Sequence, residues 1–190
     1  MNVYDFDKTI YKGDSSVDFF KFCLFRHPVL LLYIPYQILI IIAYKLHLCR
    51  KEKAKSVFFS FIKSIPNLNE EVQLFWNHKI KFIASWYLNQ QRIDDVVISA
   101  SPEFLLSPVC KTLGISQLIA TKVDEKTGKL LSKNCYGEEK ARQFDIFFPR
   151  TRIDNFYSDS ISDTPMACKA TTAYLVKSHQ VIKLWNYYDR

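Results

Sequence analysis

Two groups of carboxylates lie near opposite ends of this 190-residue chain. Asp5 and Asp7 follow the apolar run at residues 1–4, and Asp159 and Asp163 follow a second apolar run. Mg²⁺ prefers oxygen ligands, and proteins commonly hold it with one or two carboxylates together with a substrate phosphate. The pattern predicts a divalent metal site with Asp5 and Asp159 as ligands and Asp163 as a third or supporting carboxylate.

The spacing of Asp5 and Asp7 suggests different chemical tasks for the two side chains. Residues two apart on a strand point the same way, so both would face the substrate if the strand continued through Asp7. A carboxylate beside a cation stays ionised and can attack phosphorus, whereas one farther away can hold a proton for the leaving group. We therefore predict phosphoryl transfer to Asp5 and proton transfer by Asp7.

Remote carboxylates can meet if they follow strands of one parallel sheet, because the carboxyl ends of such strands share an edge at the topological switch point. Alternating strand-like and helix-like runs predict such an α/β fold. The predicted strands lie near 2–6, 95–99, 117–121, 153–158 and 173–177, and the predicted helices near 102–113, 137–147 and 163–169. Between residues 119 and 135, a turn containing Thr127 and Gly128 predicts a β-hairpin.

Four short motifs, in this order, resemble those of the haloacid dehalogenase superfamily, specifically its phosphatase branch with an inserted helical cap. They are D-x-D-x-T, a serine that closes an apolar strand, a single lysine, and the pair D-x-x-x-D. Their residues here are Asp5, Asp7, Thr9, Ser99, Lys140, Asp159 and Asp163. The resemblance implies a Rossmann-like parallel sheet core and covers nearly the whole chain.

The resemblance also implies an aspartyl-phosphate on Asp5, with Asp7 acting as general acid and then base. Mg²⁺ would be held by Asp5, Asp159, Asp163 and the main-chain carbonyl of Asp7. Thr9, Ser99, Ala100 and Lys140 would bind the substrate phosphate. Ser101 competes with Ser99 for this position, although Ser101 could instead be the N-cap of a helix that begins at Pro102.

The resulting prediction is a Mg²⁺-dependent phosphomonoester hydrolase acting on a small phosphorylated metabolite or a lipid phosphate. Two alternatives stay open: a phosphotransferase that uses the same intermediate, and a membrane-docked binding protein with little catalysis.

Residues 1–13 and 93–190 are predicted to form the catalytic core. Residues 14–92 are predicted to form the helical cap, because long apolar-periodic stretches replace short strand-like runs there. Asp14 could contribute to the mouth of the site or cap the helix that starts near Ser15, and the helix cap is the favoured interpretation.

Residues 28–44 form an uncharged, strongly apolar segment of 17 residues. It is shorter than the about 20 residues of a spanning helix and is interrupted by Pro35 and Gln37, so a full crossing is not expected. The favoured interpretation is a buried cap helix or helical hairpin bent at Pro35. The alternative is a peripheral membrane contact; the substrate could then be a lipid phosphate, and the chain would be similar to the phosphatidylglycerophosphatase branch of the superfamily. Its cationic flanks are Arg26, Lys45, Arg50 and Lys51.

Composition bounds the remaining functions. The net charge of +7 attracts anionic partners, but no basic helix or aromatic stacking platform is recognisable, so nucleic acid is not predicted as a partner. The five cysteines contain no C-x-x-C pair, which argues against a zinc site and a full disulfide set. The predicted location is cytoplasmic, with possible association with a membrane, and the sequence does not indicate an oligomeric state.

Overall fold

A six-stranded sheet in the order β3-β2-β1-β4-β5-β6 forms the centre of the computed structural model, which describes residues 1–177 and 180–185. The first five strands in chain order pair in parallel, and β6 is antiparallel to β5. The strands are β1 (Asn2–Tyr4), β2 (Val96–Pro102), β3 (Gln117–Thr121), β4 (Ile153–Ser158), β5 (Ala170–Lys177) and β6 (Gln180–Leu184). The predicted parallel α/β sheet is confirmed, whereas β6 was not predicted.

The position of β1 explains why distant motifs meet. All three of its residues are buried, as expected for a central strand covered on both faces. It pairs with β2 on one side and β4 on the other, with Val3 beside both Val96 and Phe156. The chain order reverses at this point, so the segments after β1, β2 and β4 open onto one crevice.

The helices divide into two groups along the chain. Five lie between β1 and β2: α1 (Ser15–Arg26), α2 (Ile34–Lys45), α3 (Lys51–Phe58), α4 (Leu68–Lys79) and α5 (Ser85–Gln90). Among the described residues after β2 there are three more: α6 (Glu103–Thr112), α7 (Glu138–Phe147) and α8 (Thr164–Ala167). The helices predicted near 102–113 and 137–147 are confirmed. The one predicted near 163–169 is a 3-10 turn, Ile161–Asp163, followed by the short α8.

The inserted helices share a hydrophobic core with one face of the sheet. Phe19, Phe61 and Phe75 from the insertion belong to the same buried cluster as Tyr4 and Phe6 beside β1. The insertion therefore packs directly against the sheet. The boundary between a core of 1–13 and 93–190 and a cap of 14–92 stays a prediction, and residues 178–179 and 186–190 of that predicted core lie outside the described residues.

The predicted β-hairpin between residues 119 and 135 is correct in its turn and wrong in its strands. A single antiparallel bridge joins Val123 and Leu130 in this segment. The Asp124 carboxylate accepts hydrogen bonds from the main-chain N–H (2.7 Å) and hydroxyl (2.6 Å) of Thr127, and Gly128 N–H donates to the Asp124 carbonyl (2.8 Å). Across the turn, Asp124 N–H donates to the Lys129 carbonyl and Leu131 N–H to the Lys122 carbonyl, both at 2.8 Å, so a short hairpin forms without regular strands.

The apolar segment at residues 28–44 is not a buried helix, contrary to the favoured expectation. It forms a 3-10 helix, Pro28–Tyr33, that leads into α2, where Pro35 occupies the first turn. Within these two helices only Leu30, Gln37 and Ile40 are buried. Pro28–Lys45 is long and apolar enough to cross a membrane, although core helices of soluble proteins can have the same length and composition. Unlike such core helices, this segment is only 17% buried. Hydropathy alone could not reveal that only one side contacts protein.

Candidate active site

A cleft of about 190 Å³ opens at the carboxyl ends of β1, β2 and β4. It collects side chains from both ends of the chain, as the switch point requires. The predicted site residues that line it are Asp5, Asp7, Ser99, Ala100, Lys140, Asp159 and Asp163. The structure therefore brings together seven of the eight residues selected from the sequence, and Thr9 is the exception.

Lys140 forms the centre of a buried charge cluster. Its Nζ donates to Asp5 Oδ1 and to Asp163 Oδ2, both at 2.6 Å, and its side chain is 3% exposed. Burial acts to lower the pKa of Lys140, but the two carboxylates raise it above its ordinary value. The lysine is therefore a fixed positive charge in the cleft. It lies in the first turn of α7, which begins after Gly137 in a left-handed conformation (φ 57°).

Asp5 is held at the cleft by the sheet, although β1 ends at Tyr4, two residues before the end of the strand predicted near 2–6. Its main-chain N–H donates to the Tyr157 carbonyl at 2.9 Å, which extends the pairing with β4 by one residue. Burial raises the pKa of Asp5, and the Asp163 carboxylate adds to this effect while Lys140 opposes it. A cation nearby favours the ionised form of such a group.

Asp7 faces the same cleft through the loop after β1 rather than through a continued strand. Its Oδ1 accepts a hydrogen bond from Ser15 N–H (2.8 Å), and its Oδ2 accepts one from Ser101 Oγ (2.5 Å). Burial and the nearby Asp14 raise the pKa of Asp7 to about 6, against the effect of both hydrogen bonds. A carboxyl group with this pKa can hold and release a proton near neutral pH.

Ser101 is not the N-cap of a helix, contrary to the alternative raised from the sequence. β2 runs through Pro102, and α6 begins at Glu103 without a side-chain hydrogen bond at its N-cap. Besides donating to Asp7, Ser101 Oγ lies 3.0 Å from Ser16 Oγ. Ser99 Oγ accepts from Ser101 N–H (3.1 Å) and lines the cleft. Ser101 therefore positions Asp7, and the phosphate-binding role of Ser99 stays a prediction.

Thr9 lies beneath the cleft and connects two of the loops that form it. It is fully buried, does not line the cleft, and accepts a hydrogen bond at Oγ1 from Asp159 N–H (3.1 Å). Its side chain thus lies outside the lining of the cleft, and its phosphate-binding role stays a prediction. The threonine instead ties the D-x-D-x-T loop to the loop that carries Asp159. Burial raises the pKa of Asp159, which faces the cleft.

Asp163 retains one oxygen that could contact a cation. Its Oδ2 accepts from Lys140 and from Ser158 Oγ (2.8 Å), whereas its Oδ1 is buried without a hydrogen-bond partner among the described residues. A buried carboxylate oxygen without a partner is costly. As arranged, the described residues include no group of three or more Asp, Glu, His or Cys side chains close enough to hold a metal. Mg²⁺ needs only one or two carboxylates besides water and phosphate, so this donor set fits it.

Lys55 is a functional candidate that the sequence did not indicate. It extends from α3 in the insertion, and its Nζ donates to the Ala100 carbonyl (2.5 Å) and to Asn134 Oδ1 (2.7 Å). Burial and the neighbouring Lys51 lower the pKa of Lys55 to about 8. One feature of the sequence could have indicated this residue: Lys51 and Lys55 are four residues apart and therefore share a helix face. Lys51 uses that face to stack on the ring of Tyr136, 3.0 Å from its centre.

Comparison with known proteins agrees with this geometry. Residues 3–167 match the profile of the haloacid dehalogenase-like hydrolases. The probable phosphatase Rv3661 of Mycobacterium tuberculosis is 36% identical over 81 residues, which cover 38% of this chain and 28% of Rv3661. The curated relatives that the chain matches are much longer than the matched part, which spans 35% of one and 28% of another.

Two solved structures share the fold at low sequence identity. A protein of unknown function from Bordetella pertussis Tohama I has a TM-score of 0.76 and 16% identity, covering 92% of this chain and 88% of that one. A phosphoserine phosphohydrolase-like protein from Francisella tularensis has a TM-score of 0.61 and 13% identity, covering 92% and 87%. The match to the family profile runs from β1 to α8 and includes every strand end that forms the cleft. The chain therefore belongs to the haloacid dehalogenase-like hydrolase family.

Proposed function

We propose that this protein is a Mg²⁺-dependent phosphomonoester hydrolase that works through an aspartyl-phosphate on Asp5. The observation that carries the proposal is the convergence of Asp5, Asp7 and Lys140 in one cleft of about 190 Å³. The three residues supply a nucleophile, a proton carrier and a fixed positive charge. Phosphoryl transfer requires these functions together with accurate positioning.

In the first step, a carboxylate oxygen of Asp5 forms a bond to phosphorus while the bond to the ester oxygen breaks. Lys140 contacts Oδ1 of Asp5, so Oδ2 is the oxygen that this lysine does not engage. Asp7 gives its proton to the departing alcohol oxygen. In the second step, Asp7 takes a proton from water as the water attacks phosphorus, which releases inorganic phosphate and restores Asp5. The pKa of Asp7, about 6, suits both directions of proton transfer.

The transferred group spreads negative charge over its equatorial oxygens, and preorganised donors stabilise that charge. Lys140, the Ser99 hydroxyl and the main-chain N–H of Ala100 are the proposed phosphate contacts. Lys55 adds a second cation next to Ala100, because it donates to the carbonyl of that residue. These groups are buried or partly buried, where electrostatic interactions are stronger than in water.

Mg²⁺ would be held by one or two of the carboxylates Asp5, Asp159 and Asp163, together with the main-chain carbonyl of Asp7. The ion would neutralise charge on the phosphoryl oxygens. The support for this assignment is the oxygen-only donor set and the unpartnered Oδ1 of Asp163.

The proposed substrate is a small phosphorylated metabolite or a lipid phosphate. Asp14, the capping residue of α1, contributes to the rim of the cleft, so the insertion borders the space beside the phosphate site. Discrimination between leaving groups would then belong to residues 14–92, acting as a cap that limits access of water.

The test is phosphate release from soluble phosphomonoesters and dispersed phospholipid phosphates, with Mg²⁺ or with a chelator. Asp5→Asn should lower turnover by roughly 10⁴-fold, as expected for loss of a nucleophile. Asp145→Asn is the matched control, because this carboxylate is exposed on α7 and pairs with Lys169. Turnover that persists in Asp5→Asn or in the chelator contradicts the mechanism. Added alcohols distinguish hydrolysis from phosphotransfer, since an alcohol acceptor yields a new phosphomonoester.

A further inference from the structure

The insertion exposes an unusually large apolar surface. Of the twenty-two exposed large hydrophobic side chains among the described residues, twelve lie between residues 25 and 48. We call these twelve the apolar patch: Phe25, Val29, Leu31, Leu32, Tyr36, Ile38, Leu39, Ile41, Ile42, Tyr44, Leu46 and Leu48. Leu32 and Leu48 are 77% and 76% exposed. Contiguous apolar surfaces of this kind mark sites of interaction with another protein or with a membrane.

The orientation of this segment separates polar from apolar groups. The side-chain amide of Gln37 is turned inward and donates to the Phe58 carbonyl at 2.9 Å. The Tyr33 hydroxyl is also turned toward the protein, 2.8 Å from Ser64 Oγ. Leu30 is fully buried. Because these inward contacts occupy one side of the segment, the other side presents hydrocarbon to the surroundings.

The positive charge of the same region favours an anionic partner. Residues 19–69 contain eight lysines and arginines and one acidic residue, Glu52, so this stretch carries a formal charge of +7, equal to the net charge of the whole chain. Lys45, Arg50 and Lys53, which follow the apolar segment, are exposed. Apolar side chains bordered by cations match the surface of an anionic bilayer, where hydrocarbon lies beneath negative headgroups.

We propose that the apolar patch docks the protein on an anionic lipid bilayer. A second copy of the chain fits this surface less well, because a symmetric interface would bring two segments of charge +7 together. Lateral docking also agrees with the inward contacts of Gln37 and Leu30, since a helix held by protein along one side inserts only its other side into the headgroup region. Docking at this patch does not depend on the proposed phosphatase function.

Docking would bring the cleft close to the lipid headgroups. α2 packs against α3, and α3 in turn borders the cleft. Two side chains of α3 make this contact: Lys51 stacks on Tyr136, and Lys55 donates to the Ala100 carbonyl. Tyr136 and Ala100 both line the cleft. α3 therefore connects α2, which carries part of the apolar patch, with residues that line the candidate active site.

The test is co-sedimentation of the purified full chain with vesicles of phosphatidylcholine, alone or mixed with phosphatidylglycerol. We expect stronger binding to the anionic vesicles and weaker binding as salt is added. Leu32→Glu/Leu39→Glu should lower the partition coefficient by more than about tenfold, because each change replaces a membrane-facing leucine by a charge. Leu46→Glu/Leu48→Glu tests the neighbouring turn independently of the folding of the first variant.

The matched control is Ile93→Glu/Ile146→Glu, which makes the same type of change at exposed positions outside the patch, 91% and 58% accessible. It should bind vesicles as the unchanged chain does. No binding to anionic vesicles, or equal losses in the patch and control variants, overturns the proposal. So does a dimer in solution that only the patch variants dissociate without any vesicle binding. Turnover of a soluble phosphomonoester by the same preparations tests the phosphatase function separately.

Discussion

Gly128 is the position at which the turn after β3 touches the helical insertion. Its φ is +73°, and a Cβ added there would lie 2.2 Å from the carbonyl oxygen and 2.5 Å from the carbonyl carbon of Phe59. Gly114 offers a natural control, because its φ is +74° and no atom lies within 4 Å of the added Cβ. Alanine at the two positions therefore carries the same backbone strain, but only Gly128→Ala adds a collision.

The expected magnitudes follow from this difference. A left-handed backbone costs a residue with a Cβ about 1–2 kcal/mol. A collision with main-chain atoms cannot be relieved by a rotamer change, and overpacking of this kind adds about 1–3 kcal/mol. Gly114→Ala should thus lower the free energy of unfolding by about 1–2 kcal/mol and Gly128→Ala by about 2–5 kcal/mol.

Urea denaturation at constant temperature measures these free energies, and the melting temperature provides a second readout. For a chain of this size each kcal/mol corresponds to roughly 2–4 °C. The larger loss should belong to Gly128→Ala in both measurements. Equal losses in the two variants would refute the reasoning, because they would mean that the turn does not rest on the Phe59 main chain in solution.

Three further predictions concern buried charges. Ser101→Ala removes a hydroxyl that donates to Asp7, so the pKa of Asp7 should rise above about 6 and the alkaline limb of the kcat/KM profile should shift up by about one pH unit. Lys140→Met leaves buried carboxylates without their cation and should cost about 3–5 kcal/mol in urea denaturation at neutral pH. Glu71→Gln removes the partner of Arg26. Burial acts to raise the pKa of Glu71, but Arg26 holds it below its ordinary 4.5, so the stability from this pair is present above pH 4.5 and lost in acid. The free energies of unfolding of Glu71→Gln and of the unchanged chain should therefore converge at low pH.

Each of these three predictions has a contrary result. An unmoved alkaline limb in Ser101→Ala would exclude Asp7 as the group that must be protonated in the first step. A Lys140→Met variant as stable as the unchanged chain would show that the charge cluster is solvated. A constant difference between Glu71→Gln and the unchanged chain down to acid pH would remove ionisation of Glu71 as its cause.

Much of the fold could be predicted because strand and helix patterns are local. The runs that became β2, β3 and β4 are short and separated by helix-like segments, and this alternation is typical of a parallel sheet. Asp5 and Asp159 could be placed in one site because each follows such a strand. Asp14 could be assigned as a helix cap, and its Oδ1 accepts from Val17 N–H at 3.0 Å.

The remaining features depend on contacts between residues far apart in the chain. Thr9 matched a motif, yet its hydroxyl meets the main chain at Asp159 rather than the cleft. Ser101 seemed suited to cap a helix, but β2 continues past it and points its hydroxyl at Asp7. Lys55 was not singled out from the sequence, and only the packing of α3 brings it to the Ala100 carbonyl.

The parallel α/β fold, the order of the motifs and the carboxylates at the switch point follow from the amino-acid sequence, because side-chain periodicity and strand order are local properties of the chain. Which side of residues 28–44 contacts protein follows only from the packing of the folded chain. Nearly every residue of that segment is apolar, so no periodicity distinguishes an inner face from an outer one. Gln37, the one amide side chain of the segment, lies on the inner side, where it donates to the Phe58 carbonyl, and most of the hydrocarbon faces outward.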